Sequence, residues 1–215
     1  MISVPISLKY IKLGNYQKFL QIENPSTEDL IKCLLEVSSP DLARMKATDV
    51  DHIAAELNEL FEVDHQFVNQ FELYGKRFGF IPKLDDITYG ENKDITNYIN
   101  DWGNMHKAMA VLFRPIEKKL SNQYIIEDYE GSHVYSDIMK DMPLSVALGS
   151  MVFFYNLTNE LLNYIPNYLQ KQISKEQMIE ADLQGNGEVI LNSIRLLKET
   201  LQGLIPSQNI NYTNA

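Results

Sequence analysis

From Met142 to Asn159 the chain reads MPLSVALGSMVFFYNLTN, 18 consecutive residues without a charge. Such a run has to be kept dry, in lipid or inside the protein, so it dictates what the rest of the fold must supply. Its length only just reaches what is needed to cross a bilayer. Pro143, Ser145, Asn156, Thr158 and Asn159 put polar or helix-starting groups near its ends, Asp141 and Glu160 bracket it, and neither flank is positive. The run is predicted as a helix to about Tyr164, buried on most sides, with Pro166 ending or kinking it and no membrane span.

A helix buried on most sides needs helical neighbours, and periodicity supplies them. Tyr16, Phe19, Leu20 and Ile22 recur at helical spacing after Gly14-Asn15. Ser26-Thr27-Glu28-Asp29 is a helix start for LIKCLLEV, and Pro40 marks or follows that helix's end. Val50, Ile53, Ala54, Leu57 and Leu60 form a third stripe, with Asp49 and Asp51 in its first turn where the helix dipole favours negative charge. Residues 67–81, FVNQFELYGKRFGFI, alternate instead, with Gly75 between the two runs and Pro82 closing them, which predicts a β-hairpin. Beyond it the pattern is helical again, including QISKEQMIEADLQ and EVILNSIRLLKETLQGL; Tyr124-Ile125-Ile126 is ambiguous.

The expected fold class is therefore mainly α, a helical bundle with one short β-hairpin. Residues 1–84 would make a lobe of short helices plus the hairpin, 85–206 a C-terminal helical bundle, and 207–215 a frayed tail. One continuous domain stays open as the alternative.

The chain has 215 residues and a net charge of −10, with no Lys/Arg run longer than two. That balance repels phosphate backbones and argues against nucleic acid as a direct partner, while a basic or apolar protein partner suits it. The one cysteine, Cys33, allows neither an intramolecular disulfide nor a zinc cluster, and reads as a small buried hydrophobe. MISVPISLKY lacks the charged head and apolar core of a signal peptide, so a reducing cytoplasm is expected.

Two Glu-x-x-His spacings, Glu62–His65 and Glu130–His133, match half of a di-metal site in a four-helix bundle. Glu62–His65 falls at a helix end, however, and Glu130-Gly131-Ser132 reads as a turn. Asp85-Asp86 and Asp49/Asp51 sit where turns and helix starts want Asp. No phosphate loop, nucleophile elbow or Cys–His constellation appears, and the four histidines lack zinc-helix spacing. Neither an enzyme nor a cofactor is expected.

The stretch DWGNMHKAMAVLFRPI, residues 101–116, is the most distinctive. Met105, Ala108, Met109 and Leu112 share one helical stripe, with Trp102 at its entry and Arg114 at its exit. Such a stripe serves either as core or as an adaptable groove for a partner helix. Read as a groove, its partner-binding residues are Trp102, Met105, Met109, Leu112 and Arg114, with Phe153 and Phe154 from the apolar helix.

VPISLKYIKLGNYQKFLQI resembles the opening P-x-S-L-x-x-I-x-L-x-x-Y-Q-K-F of an uncharacterised tailed-bacteriophage protein family. Ile87-Thr88-Tyr89-Gly90-Glu91 and Lys107 through Pro115 are similar to a turn and a helix at the centre of the same family. The order of parts loosely resembles phage tail assembly chaperones, which shield the tape-measure protein while the tail tube polymerises. That resemblance implies a non-catalytic morphogenesis protein in the host cytoplasm. Its partner would be a phage structural protein, tape-measure-like or another tail or head component, with oligomer formation open. A permanent virion component, a connector or head-interior protein, is the alternative, and a di-metal enzyme the third.

Overall fold

The computed structural model describes residues 4–120 and 123–157. Residues Met1–Val152 form one compact unit and Phe153–Ala215 a second. Of the second, residues 153–157 are described and are helical. The expected helices beyond them, the continuation to Tyr164, the Pro166 kink and the 207–215 tail lie outside the described residues.

The first unit opens with four helices whose starts follow from local chemistry. α1 (Leu13–Leu20) buries Leu13, Tyr16 and Phe19. α2 (Thr27–Leu35) starts in a reciprocal capping box, Ser26 accepting from the Asp29 N–H and the Asp29 carboxylate accepting from the Ser26 N–H at 3.0 Å. Cys33 is half-buried on it, and burial pushes its thiol up. Glu36 closes α2 in a left-handed conformation, and its carboxylate accepts from Lys12 Nζ and Asn15 Nδ2 on the α1 side. α3 (Ser39–Leu42) takes Pro40 into its first turn, where the missing N–H costs nothing. α4 (Ala47–Glu62) buries Ile53, Ala54 and Leu57.

The predicted hairpin is present as β1 (Gln70–Leu73) and β2 (Lys76–Phe80). Tyr74 and Gly75 both have positive φ, which gives the two-residue connection whose twist suits a hairpin. α5 (Tyr89–Tyr98) then starts on a second capping box, Thr88 with Glu91. α6 (Met105–Leu112) follows a 3-10 turn over Trp102–Asn104.

Here the fold departs from expectation. Instead of turning into another helix, the chain leaves α6 straight into β3 (Phe113–Leu120) without a connecting loop, and β4 (Gln123–Ile126) follows. The result is a four-stranded antiparallel sheet, order β1-β2-β3-β4, and an α+β fold rather than a helical bundle with one hairpin. The physical reason is long-range pairing: β3 lays Phe113, Arg114 and Pro115 opposite Phe80, Gly79 and Phe78. Pro115 is tolerated because its carbonyl accepts from the Glu127 N–H at 2.9 Å, while the N–H it lacks falls at the end of the ladder with β4. The sheet thus crosses position 84/85, where the sequence reading set a seam between two lobes. Tyr124 on β4 lies over Gly79 and donates its hydroxyl to the Phe80 carbonyl at 2.8 Å.

α6 is the centre of the core. Met105, Ala108, Met109, Val111 and Leu112 are fully buried, and Ala110 nearly so. Apart from Lys107, which is half-buried, every residue of this helix is buried, so it packs inside the fold rather than on its surface. Beside it, Phe71, Phe78, Phe80 and Phe113 touch at ring separations of 5.2–5.5 Å. A short segment (α7, Ser136–Met139) leads to the uncharged run. There Leu144, Val146, Ala147 and Ser150 are buried, and Leu13 N–H and Leu144 N–H reach Met142 O and Ile11 O. Among the described residues no helix is long and apolar enough to cross a membrane.

Candidate functional site

With Ala110 of α6, three further elements line a half-open cavity of about 260 Å³. The first is β3, which carries Arg114 and Glu117 to it. Between Ile116 and Lys118 the register with β4 shifts by one residue, so Glu117 is the extra residue of a bulge, a device that re-aims a side chain. The second is the chain leaving β4, Glu127-Asp128-Tyr129-Glu130, which ends at Gly131 with φ of 114°. The third is the 3-10 turn Ser132–Val134 and the residue after it, from which Val134 and Tyr135 close the wall.

The charges are unevenly distributed. Four lining residues are carboxylates, Glu117, Glu127, Asp128 and Glu130, of which all but Glu127 are exposed. The one lining cation is Arg114, and its Nη1 already donates to the Glu91 carboxylate at 2.5 Å. Both partners are buried. Burial pushes the Glu91 carboxyl up, but hydrogen bonds from the Thr88 N–H and hydroxyl, with Arg114, outweigh it and hold the group below its usual range. The Arg114 guanidinium stands 5.5 Å from the centre of the Tyr129 ring, whose hydroxyl donates to Asp94 of α5 at 2.5 Å. Arg114 Nε is buried and has no hydrogen-bond partner. Tyr135 donates to Glu127, and burial followed by that carboxylate pushes its phenol up to about 12. Burial and Asp94 raise the Tyr129 phenol as well, so both tyrosines stay protonated donors at neutral pH. The arrangement suits holding a cation with a polar neighbour.

The residues singled out from sequence fall elsewhere, Arg114 and Glu130 excepted. Met105, Met109 and Leu112 have 0% exposure, so their stripe is core and lines no open groove. Burying each contributes about 1.5–3 kcal/mol, enough to explain why the helix face is not left wet. Trp102 is half-buried, edge-on to Tyr16 at 5.4 Å, and its carbonyl accepts from Gln17 Nε2. Phe153 and Phe154, in the second unit, are half-buried and meet edge to face at 5.6 Å. Glu62 ends α4 while His65 lies beyond it in non-helical chain, and Glu130 and His133 flank the Gly131 turn. The helical geometry of a di-metal motif is therefore not formed, and among the described residues no group of three or more His, Cys, Asp or Glu is placed to hold a metal. Missed by the sequence reading were Glu117, Glu127, Asp128, Tyr129 and Tyr135. The density of carboxylates in EDYEG was the available signal for Glu127, Asp128 and Tyr129.

Two central stretches, residues 87–91 and 107–115, meet at this place. Glu91 of the Thr88–Glu91 turn pairs with Arg114 of the Arg-Pro pair. Gln17 of the opening stretch lies beside α6, its amide 3.0 Å from His106 Nδ1. The chain matches no protein-family model, no curated protein and no solved structure.

Proposed function

We propose that this chain is a bacteriophage morphogenesis protein of the host cytoplasm. It works without catalysis, as a tail assembly chaperone that holds a virion protein, tape-measure-like or another tail or head component. The observation that carries the reading is the buried Glu91–Arg114 pair, 2.5 Å apart. It makes the two central family-like stretches one packing unit, so their shared pattern marks a framework and leaves recognition to the exposed surface. That surface belongs to a chain of net charge −10, which favours a basic partner and disfavours phosphate.

Mass spectrometry of purified particles, beside a pull-down from infected cells with the full chain as bait, tests the proposal. A chaperone is absent from particles and brings down a tail protein. Presence in particles at a fixed copy number replaces the chaperone with a permanent virion component.

A further inference from the structure

One buried amide ties the first helix to the entry of the core helix. Gln17 of α1 is buried, and its Nε2 lies 2.6 Å from the Trp102 carbonyl oxygen, 3.1 Å from that of Gly103 and 3.0 Å from His106 Nδ1. Carbonyl oxygens only accept, so the two of them hold the amide with its NH2 toward the turn. Flipping it would set the Gln17 oxygen against two other oxygens. His106 Nδ1 is left facing a donor, and only a ring with no proton on that nitrogen can accept from it.

We propose that Gln17 and His106 form an acid-released latch, which holds the Trp102–Asn104 turn against α1 at neutral pH and lets it go when the ring becomes an imidazolium. The inference goes beyond the reading above and does not depend on it. In the imidazolium both ring nitrogens donate, so Nδ1–H points at the Gln17 NH2, donor against donor. The amide cannot turn to meet it without losing both carbonyls. The conflict falls on the turn, a short 3-10 segment, because α6 behind it is packed into the core. The edge-on contact of Trp102 with Tyr16, at 5.4 Å, loosens with it. Burial, then Lys140 after α7 and Lys107 on α6 itself, hold the His106 value below 6.5, against Asp137 of α7 and Asp101 ahead of the turn. From α1 the ring meets Gln17, which is uncharged. A lowered value means that the closed latch is fully present above pH 6.5 and is lost as pH falls through the folded value.

The test is amide hydrogen exchange of the full chain from about pH 7.5 down to about pH 5, corrected for the intrinsic exchange rate. The Met105 N–H donates to the Trp102 carbonyl and reports the turn, while the Ile81 N–H donates to the Leu112 carbonyl and reports the sheet beside α6. Met105 should be less protected than Ile81, and its opening should rise about tenfold per pH unit from 6.5 down to the folded value. His106→Gln offers Gln17 an acceptor that does not titrate, and should abolish that slope. Gln17→Met removes the facing donor and should raise the His106 pKa toward 6.5 in ring proton–nitrogen spectra, which a merely structural role for Gln17 would not do. Equal protection of Met105 and Ile81 at every pH, a slope kept in His106→Gln, or an unchanged His106 pKa in Gln17→Met each overturns the latch. If His106→Gln does not fold, the wild-type pair of amides and Gln17→Met decide the matter.

Discussion

Glu91→Gln should be the most damaging conservative change in the described fold. The glutamine keeps the size of the side chain and can still close the capping box with Thr88, because glutamine serves that position as glutamate does. What it removes is the charge facing Arg114, which is 7% exposed. An uncompensated buried charge costs about 3–5 kcal/mol, a large share of the stability of an ordinary domain. Arg114→Met should cost less, about 1–3 kcal/mol, because the Glu91 carboxylate keeps its hydrogen bond from the Thr88 N–H and can take up a proton. The double variant should resemble Arg114→Met alone, so the coupling should equal the Glu91→Gln cost, about 3–5 kcal/mol. Urea unfolding followed by fluorescence suits the measurement, since the single tryptophan, Trp102, lies in the first unit. The Glu91 carboxyl is held below its usual range in the fold, so its contribution is fully present above the unfolded value of 4.5 and is lost as pH falls through the folded value. Glu91→Gln should flatten that acid-side loss. Additivity of the two single changes to within about 0.5 kcal/mol would refute the argument.

Three further outcomes follow from other contacts. A Cβ at Gly149 would lie 2.4 Å from the Gln66 carbonyl oxygen, a backbone atom, so Gly149→Ala should cost about 1–3 kcal/mol in spite of alanine's helix preference, and a raised urea midpoint contradicts this. Tyr124→Phe removes the hydroxyl donated to Phe80 O and should cost about 1 kcal/mol by thermal or urea unfolding; an unchanged midpoint counts against that bond. Burial lowers the His106 pKa below 6.5, so the neutral ring's contribution is present above pH 6.5 and is lost as pH falls through the folded value. Two-bond proton–nitrogen spectra should show His106 neutral at pH 6.5 with Nδ1 unprotonated and accepting from Gln17, and titration at or above 6.5 contradicts the assignment.

The local elements were readable because their causes are local. Ser26 with Asp29 and the stripe Ile53, Ala54, Leu57 announce helices within a few residues, and Gly75 between alternating runs announces the hairpin. β3 and β4 were not readable for the opposite reason. Phe113-Arg114-Pro115 looks like a helix end, and what makes it a strand is β2, more than thirty residues earlier in the chain. The methionine stripe showed a face without showing what covers it: 0% exposure at Met105 and Met109 depends on every neighbour packed around α6. The pocket was least legible, since Arg114, the bulge at Glu117 and the EDYEG turn become neighbours only after the sheet forms.

The direct passage from Leu112 in α6 to Phe113 in β3 bears on how this protein can vary in length. At Tyr74-Gly75 an inserted residue has solvent to occupy, so that turn should accept additions or a tag. At 112/113 both neighbours are buried and there is no loop to take up slack. One inserted residue there would move Phe113 to the opposite face of the sheet, draw Arg114 away from Glu91 and misplace Glu117 in a single step. Relatives of this chain should therefore differ in length at the hairpin tip and keep the helix–strand junction free of insertions and deletions.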